Sequence, residues 1–270
     1  MSVLWRTQSG ESFKAGVIQF DVKLGDVPSN MSSALEGLRQ LGALAVDLAV
    51  LPEMWSCGFD NQRLFDHARQ TPVVLDRLSQ VAAEYRMIIA GSLPEASGED
   101  MFNTLYLVDG SGFLAGAYRK IHLFSLTDEG RFFAAGETAV VCPTRIGPVG
   151  LMTCYDVRFP ELCRSLALKG ARVVVVPAQW PRVRINHWDV LLQARAIENQ
   201  IFVVAANRCG KDNGLVYGGH SQIVTPMGNV SVLADDSDAV LHAAIDFQEL
   251  STFRDKIPCL AERVPDAYIV

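Results

Sequence analysis

Short apolar runs and longer amphipathic stretches take turns along this chain, an alternation that predicts an α/β protein. Lys14 to Val22 (KAGVIQFDV) reads as a first strand. Asn30 to Leu44 carries Ala34, Leu35, Leu38 and Leu41 at helical spacing, and Asp47 to Leu51 (DLAVL) then reads as a buried strand ending at Pro52-Glu53. Leu75 to Arg86 predicts a helix and Met87 to Ser92 a strand, after which Asn103 to Val108 and Phe113 to Arg119 flank Asp109-Gly110-Ser111-Gly112 as a hairpin. Thr138 to Cys142 and Pro148 to Thr153 form another strand pair, followed by a helix from Pro160 to Lys169. Arg172 to Pro177, a helix over Asn186 to Asn199, and Phe202 to Asn207 continue the series; Ser221 to Ala234 and Ala239 to Ile245 supply closing strands. Hairpins mixed among βα units favour mixed sheets with helices outside over a purely parallel, doubly wound sheet. With no internal repeat or low-complexity linker, a single domain over residues 1–270 is the simplest organisation.

Composition narrows the class of partner. At 49% hydrophobic and 20% charged over 270 residues, the chain can bury a large core. A net charge of -6 provides no footprint for nucleic acid or an anionic membrane, so a small-molecule substrate is expected. The longest apolar runs, such as Val173 to Ala178, fall far short of the roughly 20 residues of a membrane helix. Met1 to Lys14 is polar and irregular, without the basic start, apolar stretch and cleavage site of a secretory signal, and the expected location is the cytoplasm. Six scattered cysteines without CxxC pairs suggest neither a zinc ribbon nor a dithiol redox centre.

Three polar residues stand at predicted strand ends. Cys154 sits between a hydrophobic strand and a helix start, a turn that exposes a nucleophile and points backbone N–H groups and a helix dipole at it. A thiol needs a proton acceptor. Of the five histidines only His122 lies in a candidate loop, and a Cys-His pair is one option. The other is Glu53, whose carboxylate can serve as base if partial burial raises its pKa. Lys120, leaving the second arm of the hairpin, supplies a cation suited to an oxyanion. Taken singly, each has an ordinary explanation as a packed thiol, a surface carboxylate or a solvated lysine.

Together they are more specific. LPEMW (51–55), YRKIHLF (118–124) and CYDVRFPE (154–161) occur in the order and spacing of the Glu-Lys-Cys triad of the nitrilase superfamily, which the chain resembles along nearly its whole length. HWDVLLQARAIENQIFVVAANRCG (187–210) and GHSQIVTPMGNV (219–230) are similar to that superfamily's third signature region. The resemblance implies a four-layer α-β-β-α sandwich, a homodimer paired through helices outside the sheets, and chemistry that needs neither metal nor organic cofactor. It assigns Glu53 as general base, Lys120 as oxyanion cation and Cys154 as covalent nucleophile, with the Tyr155 N–H as second oxyanion donor and Glu129 in an orienting role.

Within the superfamily, RKIHLF, CYDVRFPE and QWPRVRINHW (179–188) look most like the ω-amidases, which hydrolyse the terminal amide of α-ketoglutaramate and related ω-amides. Such a substrate carries a carboxylate remote from the scissile amide, and Arg184, following Trp180, is the first choice to bind it, with Arg182 or Arg158 as alternatives. An N-carbamoyl amine or acid, or a deaminated-peptide amide, would use the same triad. A nitrile is disfavoured because Tyr155 and Asp156 follow the cysteine as in the amidase branches, and a glutaminase subunit because no synthetase domain is present. From another class, a catalytically silent small-molecule-binding member is opposed by retention of all three triad residue types.

Overall fold

The computed structural model describes residues 12–212 and 214–267. The irregular polar lead expected at the N-terminus lies, up to residue 11, outside the described residues. In chain order the elements are β1 (Ser12–Gln19), α1 (Val27–Ala43), β2 (Leu48–Val50), α2 (Leu64–Tyr85), β3 (Ile88–Ser97), β4 (Asp100–Val108) and β5 (Leu114–Arg119). The second half runs β6 (Val141–Cys142), β7 (Val149–Leu151), α3 (Pro160–Leu168), β8 (Val173–Ala178), α4 (Ile185–Asn199), β9 (Phe202–Asn207), β10 (Lys211–Asp212), β11 (Leu215–Val216), β12 (Gln222–Val224), β13 (Val230–Leu233), β14 (Ala239–Asp246) and α5 (Phe247–Lys256).

Two six-stranded mixed sheets result, in the orders β14-β1-β2-β3-β4-β5 and β13-β12-β9-β8-β7-β6. Each has a parallel centre, β1-β2-β3 in one and β7-β8-β9 in the other, flanked by antiparallel strands. Strand alternation builds the layers. Leu48 and Val50 turn into the core between the sheets with Val149, Leu151, Val175 and Val204, whereas Ala49 and Leu51 face α1 and α2 through Ala34, Leu38, Val74 and Leu78. On the far side α3 and α4 cover the second sheet with Leu162, Leu166, Leu192 and Ala196. The architecture is the α-β-β-α sandwich expected from the sequence.

Several boundaries moved, for physical reasons. α2 starts at Leu64 instead of Leu75 and runs through Pro72, because Leu64 and Ala68 pack with Met54, Cys57, Met101 and Phe133; burial outweighs the hydrogen bond lost at the proline. The pair expected over Thr138–Cys142 and Pro148–Thr153 shrinks to two residues in β6 and three in β7. β14 joins the first sheet beside β1 and so ties the chain's two ends together. The hairpin β10-β11 and the helix α5 were not anticipated; α5 buries only Phe247 and Leu250, too narrow a stripe to stand out in sequence. Among the described residues no helix is long and apolar enough to cross a membrane.

Leu105 of β4 is fully buried between the sheets. Leu105→Ala should cost about 2–5 kcal/mol of stability by leaving a cavity that packed sheets close only in part, measured as a lowered urea midpoint with an unchanged slope.

Candidate active site

The two sheets meet face to face, so loops leaving their strands at one end converge. Glu53 lies three residues beyond β2, Lys120 one beyond β5, Cys154 three beyond β7, and Gln179 directly after β8. Met54 and Cys154 both adopt left-handed backbone, at φ 44° and 47°. Non-glycine residues hold that conformation only where surrounding contacts dictate it, and here it turns two loops sharply inward. The turn at Cys154 opens a five-residue 3-10 helix, Cys154–Arg158, and α3 begins only at Pro160. The α-helix dipole expected at the thiol is therefore displaced from it, and single N–H groups of the turn take its place.

Lys120 stands between two carboxylates. Its Nζ donates to Glu53 Oε1 at 2.8 Å and to Glu129 Oε1 and Oε2 at 2.8 Å each. All three side chains are buried, the lysine at 2% exposure. The glutamates are held in turn: Asn103 Nδ2 donates to Glu53 Oε1 at 2.8 Å, Gln179 N–H to Glu53 Oε2 at 3.0 Å, and Phe124 N–H to Glu129 Oε2 at 2.7 Å. Gln179 Nε2 also donates to the Glu53 carbonyl at 2.8 Å, which locks the loop itself.

Electrostatics follow from this burial. Desolvation raises the Glu53 pKa above its usual 4.5, and the charge on Glu129 adds to it, against the pull of Lys120. For Lys120, desolvation works to lower the pKa, but Glu53 and Glu129 overcome it and hold the ammonium well above its ordinary range. Burial and the facing Glu53 charge push the Cys154 thiol well up, opposed by Lys120 and by the Gln179 N–H. The resting thiol is thus protonated, beside a carboxylate whose raised pKa makes it a better proton acceptor.

Glu53, Lys120, Glu129 and Cys154 line one end of a cavity of about 260 Å³. Tyr155, Arg158, Trp180 and Arg184 line it as well, so the triad, Glu129 and the first-choice binding residue Arg184 reach this one space. Arg182 does not: it extends outward to an ion pair with Asp236. His122 is also removed as a base for Cys154, because its Nδ1 contacts Asp156 Oδ1 at 2.8 Å and its ring stacks on Phe159 with centroids 3.6 Å apart. Sequence reasoning missed Asn103, Gln179, Phe59 and the hairpin residues Asp212 and Tyr217. A buried asparagine within a strand and a glutamine directly after RVVVVPA were the available signals for the first two.

The arrangement can remove a proton from a thiol, stabilise an oxyanion, and hold an anion at the cavity's other side. Arg158 lies 4.7 Å above the Trp180 ring and Arg184 5.4 Å from that of Phe124. Desolvation, joined by the charge of Arg184, lowers the Arg158 pKa, and among the described residues neither arginine has a carboxylate partner. Among the described residues no group of three or more His, Cys, Asp or Glu is placed to hold a metal ion.

Comparison with known proteins agrees with this chemistry. The carbon-nitrogen hydrolase family model matches residues 14–255. A 2-oxoglutaramate amidase of Bacillus subtilis is 36% identical over 254 residues, covering 93% of this chain and 97% of that protein. A 2-oxoglutaramate amidase of Paenarthrobacter nicotinovorans is 40% identical over 242 residues, 84% of this chain and 81% of its own. The crystal structure of a CN-hydrolase superfamily protein from Xanthomonas campestris, with an arsenic adduct in its active site, superposes with a TM-score of 0.88 at 27% identity, covering 96% of this chain and 99% of that one.

Replacing Lys120 by Met strands two buried carboxylates and should cost about 3–5 kcal/mol of stability at pH 8. Without the cation, burial drives Glu53 further above 4.5, so the folded variant holds a proton that the unfolded chain releases. Such a raised carboxyl favours the folded state at low pH and loses that advantage as pH rises, so the deficit should be smaller at pH 5 than at pH 8. Urea denaturation of both proteins at the two pH values measures it; a deficit independent of pH would refute the electrostatic account.

Proposed function

This chain belongs to the carbon-nitrogen hydrolase family and acts on amides, and from that premise we propose that it is an ω-amidase that hydrolyses α-ketoglutaramate or its shorter homologue α-ketosuccinamate through a Cys154 thioester. The observation that carries this reading is the pairing, within one small cavity, of a protonated thiol facing a buried Glu-Lys-Glu cluster with two arginines that lack carboxylate partners. A volume near 260 Å³ lies at the lower edge of the ~300–1,000 Å³ usual for small-molecule sites, which favours a short acid over a peptide-sized amide.

In the mechanism, Glu53 accepts the Cys154 proton as sulfur attacks the amide carbon. The oxyanion is received by Lys120 and by the Tyr155 N–H, which as the second residue of its 3-10 turn has no intrahelical acceptor. Glu53 then protonates the leaving nitrogen, ammonia departs, and a water deprotonated by the same carboxylate hydrolyses the thioester. Glu129 holds Lys120 in place and takes no proton. The substrate's far carboxylate meets Arg158, four residues along the same 3-10 turn from Cys154 and so ~8 Å further along its axis, with Arg184 beside it. This shifts the first choice made from sequence, Arg184 alone, to the pair, because both guanidinium groups line the cavity and neither has a carboxylate partner among the described residues.

We also propose a cytoplasmic homodimer paired through the outer helices. The outward faces of α3 and α4 carry exposed Leu168, Val190 and Ile197, which a partner subunit would cover. Light scattering at micromolar concentration should return twice the monomer mass, and a monomer there would remove this part of the proposal.

Cys154→Ala should abolish turnover and Glu53→Gln should lower kcat by at least ~10²-fold, both with folding retained. Arg158→Leu and Arg184→Leu should each lose roughly 2–5 kcal/mol in kcat/KM for α-ketoglutaramate while barely changing hydrolysis of an uncharged short amide. Ammonia release on both substrates decides the matter, since equal losses on the two would make these arginines structural and overturn the ω-amidase reading.

A further inference from the structure

Asp156 is two residues past the nucleophile, fully buried, and outside the reaction as derived above. Its carboxyl group nevertheless makes four hydrogen-bond contacts. Oδ2 accepts from Thr153 N–H at 2.9 Å and from the Tyr118 hydroxyl at 2.7 Å. Oδ1 accepts from His122 N–H at 3.0 Å and meets His122 Nδ1 at 2.8 Å, a contact that the Nδ1–H tautomer satisfies. Among the described residues no lysine or arginine pairs with it, so backbone and side-chain donors alone compensate its burial.

These donors come from two places. Thr153 is the residue before Cys154, on the strained turn that presents the thiol; Tyr118 and His122 bracket Lys120 by two residues on either side. The Tyr118 hydroxyl also accepts from Ile121 N–H at 3.2 Å, which fastens the backbone immediately after the lysine. The His122 ring is clamped flat on Phe159, 6° from parallel, and Phe159 closes the 3-10 turn that begins at Cys154. Sulfur-bearing and lysine-bearing segments follow strands of different sheets, and among the described residues no strand of one sheet pairs with a strand of the other.

We infer that Asp156 is the positioning residue of this site: one buried carboxyl group, shared between the nucleophile turn and the Tyr118–His122 segment, fixes the distance between the Cys154 thiol and the Lys120 ammonium. It rests on the roles proposed above for Cys154 and Lys120. Side chains misplaced by about 1 Å can cost ~10²-fold in rate without altering substrate affinity, because ground-state contacts survive while attack geometry does not. Asparagine at 156 keeps the shape but turns one acceptor into a donor that faces another donor, which pushes the two segments apart.

The test compares wild type, Asp156→Asn and Tyr118→Phe by steady-state kinetics on α-ketoglutaramate and by the rate of Cys154 alkylation with iodoacetamide, located by peptide mass. Asp156→Asn should lower kcat ~10²-fold with KM within threefold, and Tyr118→Phe about tenfold, the worth of one hydrogen bond. Alkylation of Cys154 should slow in both variants. A kcat within threefold of wild type in Asp156→Asn overturns the inference, as does a kcat loss with unchanged alkylation, or a loss expressed mainly in KM. Should Asp156→Asn not fold, as judged by its circular dichroism, Tyr118→Phe decides by the same criteria. Failure of the underlying reading is separable, because it would leave Cys154 of the wild-type protein unlabelled or Cys154→Ala active.

Discussion

An ammonium group almost wholly withdrawn from water is stable only if charge of the opposite sign is fixed beside it, and at Lys120 that charge is supplied twice. Each carboxylate would be equally untenable alone. Glu53, Lys120 and Glu129 therefore form one hydrogen-bonded unit, in which each glutamate is further fixed by a backbone N–H group. No member can be moved without breaking a hydrogen bond of another. The loops after β2, β5 and β8 are bound into one rigid wall by this arrangement rather than by apolar packing.

Against that wall the thiol is kept protonated. Many thiol enzymes prepare a thiolate beside an imidazolium or a helix N-terminus. Here burial and the facing carboxylate raise the thiol pKa, burial raises that of Glu53, and in the mechanism proposed the proton passes as sulfur attacks. The left-handed backbone at Cys154 and at Met54 is the conformational cost of bringing both loops to this contact. Contacts such as those of Asp156 are what keep that backbone from relaxing.

The cavity divides its charges by position. Around Lys120 the ions pair with one another; the guanidinium groups of Arg158 and Arg184 lie over aromatic rings and find no carboxylate among the described residues. In the function proposed, the distant carboxylate of the substrate completes the second set while its amide reacts at the first. An amide without a distant anion would meet the catalytic groups but leave the arginines desolvated and unpaired, which is a physical basis for selectivity by charge.

Sequence by itself determined the alternation of strands and helices, the mixed character of the sheets and the side chains proposed to react, because hydrophobic period and ordered motifs are local properties of the chain. The central strands β8 and β9 and the helix α4 were legible nearly to the residue, since RVVVVP, FVVAAN and the stretch between them carry strong periodic signals. The start of α2 was not, because its first turns rest on contacts with Met54, Met101 and Phe133 from distant parts of the chain. Nor were Asn103 and Gln179, whose polar groups have meaning only once Glu53 is buried beside them, or the choice between Arg158, Arg182 and Arg184, which differ in nothing a sequence records. Tertiary structure decided these: it turned Arg182 outward to Asp236, gave His122 to Asp156, and brought Glu53 and Lys120, 67 residues apart, into one buried ion pair.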